Sequence, residues 1–324
     1  MLRRDFDSEL PPGSGNKIGK SMPAKRHYTV QRLFSPEDQR MYTNHLARWK
    51  HRLYTTHLSS SHGTKVPAAN ARAKRALQII DFLPVLGYLH LEVSADKRPK
   101  DAVYGDGDDR LDEKYNKDRE SWFYDKSPVH KHYDSLPRMT PGGNGERLRW
   151  LFKTAREMGC DAIPMELDID AMTKSDFAQL VISHSPKLQA MIGLHMDWAL
   201  LQDEKVIFWF MTPVIQEIAQ TVFELLGYDI FSVYSSNSAA ERQLVQEMWN
   251  STTTKKRLLF ASAMVYGTGH NLQKDSRVGV LVDTPDTDNR EKQIIGRQYR
   301  GGQLLTVHFF RLVVRGSHAV NMLQ

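Results

Sequence analysis

Lys205-Val-Ile-Phe-Trp-Phe210-Met-Thr-Pro213-Val-Ile-Gln-Glu-Ile-Ala-Gln-Thr-Val-Phe-Glu-Leu-Leu226-Gly227 is the stretch that decides the fold. Its apolar run, Val206 to Phe210, shows no alternation, the pattern of a strand buried on both faces. Pro213 suits the first position of a helix over Pro213–Leu226, and Gly227 stops it. The same unit recurs downstream. Tyr228–Tyr234 reads as a strand, Ala239–Trp249 as a helix, Arg257–Ala263 and Val278–Val282 as strands, residues 287–299 as a helix and Leu305–Leu312 as a closing strand. Upstream, Leu148, Leu151, Phe152, Ala155 and Met158 share one helical face before Gly159, and Pro186–Leu201 reads as another amphipathic helix. Strands alternating with helices predict an α/β fold, a parallel sheet with crossover helices. Ligands of such sheets bind beyond the carboxyl ends of the strands, where the residues singled out below are expected.

Composition sets the outer limits. The chain has 324 residues, 40% of them hydrophobic and 25% charged, a soluble-globular balance with a polar bias. The single cysteine, Cys160, excludes a disulfide framework and a cysteine-based zinc site. No apolar run reaches membrane-spanning length, and the N-terminus has no signal-peptide core. A net charge of +6 and a pI near 9.2 permit contacts with nucleic-acid phosphates without singling them out.

Four zones are expected along the chain. Residues 1–27 read as a disordered tail. Residues 28–93 read as helical: Ser35 suits an N-cap, Pro36 the first turn and Asp38 the capping acid, and Met41, Tyr42, His45, Leu46, Trp49 and Leu53 follow at helical spacing. A second helical stretch runs from about Ala68 into Leu83 and breaks at Pro84. Residues 94–146 read as a charged, flexible insertion broken by Pro128, Pro137 and Pro141. Its Asp106, Asp108 and Asp109 do not form a calcium-binding hand, because Leu111 and Lys117 stand where glycine and glutamate are required. His130 and His132 alone do not make a metal site, and no metal ligands are assigned. Residues 147–324 form the regular α/β zone.

Three features of that zone carry chemistry. In Gln293-Ile-Ile-Gly296-Arg297-Gln-Tyr-Arg300-Gly-Gly302-Gln303 two arginines lie one helical turn apart, so both guanidiniums leave one face. Arginine is permanently charged and fork-shaped, which suits phosphate. A pair of them on a short helix fits an arginine finger, the group that neutralises charge in phosphoryl transfer. A solvated basic helix end is the plain alternative. In Tyr266-Gly267-Thr268-Gly269-His270-Asn271-Leu272 two glycines allow close backbone approach to a phosphate, although such loops also serve simply as turns. Asp283 ends a strand, where a carboxylate can hold a loop or a neighbouring arginine.

In this order the parts resemble the second RecA-like lobe (helicase C-terminal domain) of Swi/Snf-type helicase-like ATPases, superfamily 2 chromatin remodellers, from Ser185-Pro-Lys-Leu188 to about residue 315. Lys205–Phe210 resembles the family's fourth motif, and Ser238-Ala-Ala-Glu241-Arg242 with Trp249-Asn250 resembles the helix that follows it. Ser262 and Gly267-Thr268-Gly269-His270-Asn271-Leu272 resemble the fifth, and Gln293…Arg297…Arg300-Gly-Gly302-Gln303 the sixth. More weakly, Phe34-Ser-Pro-Glu-Asp-Gln39-Arg-Met-Tyr42 resembles the segment after the first lobe, which makes 28–93 similar to an inter-lobe region. The resemblance implies Arg297 and Arg300 as catalytic fingers, and Gln293, Gly296, Gln303 and Asp283 in ATP coupling. It implies Ser262, Gly267, Thr268, Gly269 and Asn271 on the DNA backbone. It further implies double-stranded DNA, nucleosome or chromatin proteins and a first RecA-like lobe as partners, and a nuclear location. The chain departs from the family pattern at Ser235-Ser236, Tyr266, Asp286-Thr287 and Gln298-Tyr299.

A motor of this kind also needs a P-loop and an acidic magnesium box on its first lobe. Gly19-Lys20-Ser21 ends like a P-loop, but Ser14 occupies the required glycine position and prolines flank the segment. Asp203-Glu204 precede a strand instead of ending one. The expectation is therefore a half-motor without ATPase of its own, using ATP and Mg2+ only when complemented by a first lobe in cis or in trans. A non-catalytic DNA- or chromatin-binding module and an RNA helicase lobe remain as alternatives.

Overall fold

A computed structural model describes residues 23–47, 77–90, 143–234, 237–251, 253–263, 272–273, 276–285, 287–301 and 303–318. In chain order the elements are β1 (Lys25–Arg32), α1 (36–47), α2 (77–82), a 3-10 helix (Pro84–His90), α3 (Glu146–Glu157), α4 (Lys174–Ser183), α5 (Pro186–Leu194) and a π-helical turn (His195–Leu200). There follow β2 (Val206–Phe210), α6 (Pro213–Leu225), β3 (Ile230–Val233), α7 (Ala239–Trp249), β4 (Leu258–Ser262), β5 (Val278–Leu281), α8 (Asp288–Gln298) and β6 (Val307–Val314).

The strands form one sheet in the order β1-β6-β5-β2-β4-β3. Strand β2 is central and parallel to both neighbours, with Val206 opposite Leu258 of β4 and Val278 of β5. Strands β3 and β4, and β5 and β6, are parallel as well. All residues of β2 are buried, which is why its sequence shows no alternation. The molecule is thus an α/β fold, a parallel sheet flanked by helices.

Contacts divide the chain into two units. The first comprises residues 1–31, 190–211 and 229–313. Its core gathers Trp209, Phe231, Trp249, Leu259, Leu281 and Ile294 from strands and helices. The side chain of Ser238 accepts from Glu241 N while the Glu241 carboxylate accepts from Ser238 N, a capping box that starts α7. At the other end of α7 the buried Lys205 ammonium donates to the carbonyls of Trp249 (2.5 Å) and Ser251 (3.0 Å), a cation on orphan helix-end acceptors. Asp203 and Glu204, which precede β2, hold Arg257 before β4 and Arg277 before β5. These carboxylates tie adjacent strands together at their amino ends.

The second unit comprises residues 32–189, 212–228 and 314–324. Ser35 caps α1 by accepting from Asp38 N at 3.0 Å, as its sequence predicts. Phe34, Tyr42, Leu77, Ile80 and Val314 form a core cluster. Burial and the nearby Asp81 carboxylate push the Tyr42 phenol well above its usual range, and its oxygen accepts from His318 N at 2.7 Å. Asp38 meets His184 at 2.9 Å, and Asp81 meets Lys187 at 2.6 Å, with both partners of the second pair fully buried. Arg149 straps the loop before α4 through the carbonyls of Asn144, Ile169 and Met172 and stacks on Phe177. Cys160 is buried 3.8 Å from the sulfur of Met41, and desolvation pushes its thiol up to about 12. Gly159 and Gly227 take positive φ after α3 and α6, the helix stops their positions suggest.

Three local expectations are corrected. Residues 25–32, read as the end of a tail and the start of a helical zone, form a sheet strand; helix begins at the Ser35 cap. Their alternating polar sequence gives no core-facing period, because this strand is exposed along nearly its whole length. Residues 186–201 are not one α-helix but an α-helix that passes into a π turn at His195. Of the second helical stretch, 77–82 is helical and a 3-10 helix starts at Pro84; residues 68–76, like 94–142 of the insertion, lie outside the described residues.

Removing one partner from a buried ion pair strands the other's charge. Asp81→Ala is therefore expected to cost about 3–5 kcal/mol, whereas the double change Asp81→Leu with Lys187→Met recovers most of that loss. Urea-unfolding midpoints of the two variants check this.

Candidate functional site

The arginine segment sits on α8. Thr287 caps this helix by accepting from Arg290 N, and Asp288 and Glu291 place negative charge in its first turn. Ile294 and Ile295 are buried against the sheet, and Gln293 faces solvent. Arg297 ends the last turn and Arg300 follows it, both half-buried. Burial, and after it the charge of Arg300, hold the Arg297 guanidinium below its ordinary value. The helix ends at Gln298 and Tyr299 leaves helical backbone, so Arg300 stands beyond the last turn and the shared helical face expected from the spacing is not formed, although the Arg300 charge still acts on Arg297.

A buried polar staple fixes this end of α8. The Gln298 amide donates to Ser276 Oγ and to the Val278 carbonyl, both at 2.9 Å, and accepts from Trp209 Nε1 at 3.3 Å. Ser276 Oγ in turn donates to the Lys205 carbonyl at 3.2 Å. Gln303 donates to the carbonyls of Gln273 (2.9 Å) and Ser276 (3.1 Å) and accepts from Leu305 N (3.0 Å). Leu272 N reaches the Arg297 carbonyl at 3.3 Å. The described residues of 272–278 are therefore bonded at several points to the arginine segment 297–305. Gly279 makes this possible: a Cβ there would lie 2.4 Å from Gln298 Oε1 and 2.4 Å from the Phe309 ring.

The singled-out residues fall into two groups. Ser262, buried, ends β4 opposite Phe210. Asp283, just past β5, accepts from Met211 N at 2.7 Å, so it holds the loop after β2 at the carboxyl edge. Arg297 and Arg300, in contrast, do not stand at that edge. Helix α8 runs back along the sheet, and its last residues bond Ser276 and Val278 at the amino end of β5. An eleven-residue helix, about 16 Å long, separates the two groups. The carboxyl-edge expectation thus holds for Ser262 and Asp283 but not for Arg297 and Arg300. Gly267, Thr268, Gly269 and Asn271 lie outside the described residues, as does Gly302.

All of the described hydrogen bonds of the Gln303 side chain go to backbone groups. Gln298 was visible in the sequence only as a departure from the family pattern; the usable signal was a polar residue on the helix face that carries Ile294 and Ile295. Gly296 has open space where a side chain would project. Among the described residues no cluster of His, Cys, Asp or Glu is arranged to hold a metal, and no helix is long and apolar enough to cross a membrane.

The fold, a parallel sheet flanked by helices, matches that of a RecA-like domain. It superposes on the crystal structure of the C-terminal part of the Fun30 ATPase domain with a TM-score of 0.56 and 15% identity, covering 94% of this chain and 89% of that one. Over 158 residues, 42% of this chain, the sequence is 26% identical to the Transcriptional regulator ATRX homolog of Drosophila melanogaster. The match spans 12% of that protein's length. No family model matches the chain. In fold, and more weakly in sequence, the chain therefore resembles the ATPase domain of Swi/Snf-type remodellers.

Two substitutions separate structure from open surface on α8. Gln298→Ala removes the staple, leaves the Trp209 donor unpaired and opens a cavity, at an expected cost of about 3 kcal/mol in chemical denaturation. Gly296→Ala meets no neighbour and is expected to raise stability by about 0.5–1 kcal/mol through helix propensity.

Proposed function

We propose that this chain is the second lobe of an ATP-dependent double-stranded DNA translocase that works on chromatin. In this reading it supplies arginine fingers and DNA-backbone contacts to a machine whose first lobe holds ATP and Mg2+. The observation that carries the reading is the pair Arg297 and Arg300 at one helix end, each within the other's field, with that end pinned by Gln298 and Gln303. A finger serves a nucleotide held by another surface, so it need not stand in the crevice beyond this sheet's own strands. The fold likeness to the Fun30 ATPase domain and the sequence likeness to the ATRX homolog support the same reading, and with it a nuclear location and chromatin partners.

ATP hydrolysis needs a phosphate cradle and a carboxylate for magnesium. The only P-loop-like ending, Gly19-Lys20-Ser21, has Ser14 in place of glycine, and Asp203 and Glu204 are engaged by Arg257 and Arg277. Arg297 and Arg300 would neutralise developing charge on the transferred phosphoryl, and Gln293 and Gly296 would line the same helix. Asp283 and Ser262 would hold the loops at the carboxyl edge, while Gly267, Thr268, Gly269 and Asn271 would grip the DNA backbone. The bonds from 272–278 to 297–305 give DNA engagement a physical route to the fingers.

The chain alone is expected to show no ATPase above background. Mixed with a separately produced first lobe, it is expected to restore DNA-stimulated turnover that falls about a thousandfold or more in Arg297→Ala or Arg300→Ala. Hydrolysis by the chain alone that vanishes in those variants overturns the half-motor reading. Folded protein that binds DNA but never restores turnover supports a non-catalytic module instead. Affinity for duplex DNA is expected to fall steeply with salt and to exceed that for RNA of equal length; a flat salt response removes the backbone-contact reading.

A further inference from the structure

The strand at the edge of the sheet has a sequence and a geometry that the motor reading leaves unused. Strand β1 (Lys25–Arg32) pairs with β6 on one side, and among the described residues no strand pairs with its other side. Two backbone bonds fix which of its groups face β6. Val307 N donates to the Ala24 carbonyl at 2.9 Å and Arg315 N to the Arg32 carbonyl at 2.8 Å. Both donors and both acceptors are eight residues apart, so the ladder is parallel and carries no bulge. In an extended strand the N–H and C=O of one residue point the same way and alternate along the chain. The even-numbered residues therefore turn their backbone groups toward β6. Those of Lys25, His27, Thr29 and Gln31 point outward, a row of alternating donors and acceptors.

Proteins blunt such edges with charged side chains, proline, bulges or very short strands. Strand β1 has eight residues and, of these devices, carries only charge. It is held in place by stacking, His27 on Phe309 on one face and Tyr28 on His308 and Phe310 on the other. Its charges are of one sign: Lys25, Arg26 and Arg32, with no acid. Two copies paired through this edge would set like charges against each other, which disfavours self-association. DNA phosphate would use the outward N–H groups but leave the C=O groups unmatched, whereas a polypeptide strand uses both.

We propose that the outer edge of β1 docks an acidic, extended polypeptide, which joins the sheet as a further strand. Main-chain bonds to the odd-numbered residues supply affinity, and the basic side chains select for acidic sequence.

The test uses the full chain and a fluorescent synthetic peptide of alternating glutamate and valine. Thr29→Pro deletes an outward donor and leaves the β6 ladder intact, since proline is tolerated where the N–H faces away. It is expected to weaken peptide binding about tenfold or more, whereas Thr29→Val leaves binding unchanged. Reversing charge at Arg26 and Arg32 weakens the glutamate peptide and not a lysine analogue. Hydrogen exchange on the unaltered chain gives a second readout: the amides of His27, Thr29 and Gln31 slow when peptide is added, and those of Tyr28 and Val30 do not change. Equal peptide affinity in Thr29→Pro, unchanged exchange at the odd-numbered amides, or displacement of peptide by duplex DNA that is itself indifferent to Thr29→Pro each overturns the proposal. None of these outcomes depends on ATPase complementation.

Discussion

The bond set around Ser276 is the constraint on which the arginine segment depends. Its hydroxyl joins the backbone before β2 to the Gln298 amide, and its carbonyl takes the Gln303 amide. Ser276 and Gln298 are almost wholly excluded from solvent, so each polar atom left without a partner would be costly, and the network favours one arrangement. Two guanidiniums that repel one another need a rigid base if they are to stay together, and this network provides it. Gly279 is part of the same design, since only an absent side chain leaves room for the amide between β5 and β6.

Around that base the unit separates its tasks by edge. At the amino ends of the central strands, Asp203 and Glu204 hold arginines and Lys205 closes α7. At the carboxyl ends, Asp283 holds the loop after β2, and Ser262 ends β4. Helix α8 spans the interval between the two edges.

Much of this architecture was legible in the sequence, for identifiable reasons. The run 206–210 is apolar without a break because β2 has neighbours on both sides, and the helix from Pro213 is bounded by residues whose backbone preferences are strong. Ser35 with Asp38 announced a helix start that the structure places where expected. Strand β1 was not legible, since a strand exposed on both faces carries no burial period and its basic residues resemble a tail. The π turn at His195 escaped because an extra residue per turn leaves the apolar spacing almost helical. For the site, the spacing of Arg297 and Arg300 was readable, but their edge was not. Their placement depends on α8 running back along β5, which one-dimensional spacing does not encode. The role of Gln298 depends on a glycine nineteen positions earlier, a relation that only folding creates.

The state of Cys160 has a practical consequence. It is the sole thiol of the chain, and burial keeps it protonated across the ordinary working range. The native polypeptide therefore offers little to maleimides or other thiol-directed labels while folded. A cysteine introduced at an exposed position would be the main reactive handle, so fluorophores or crosslinkers can be installed without first stripping the protein of its own sulfur.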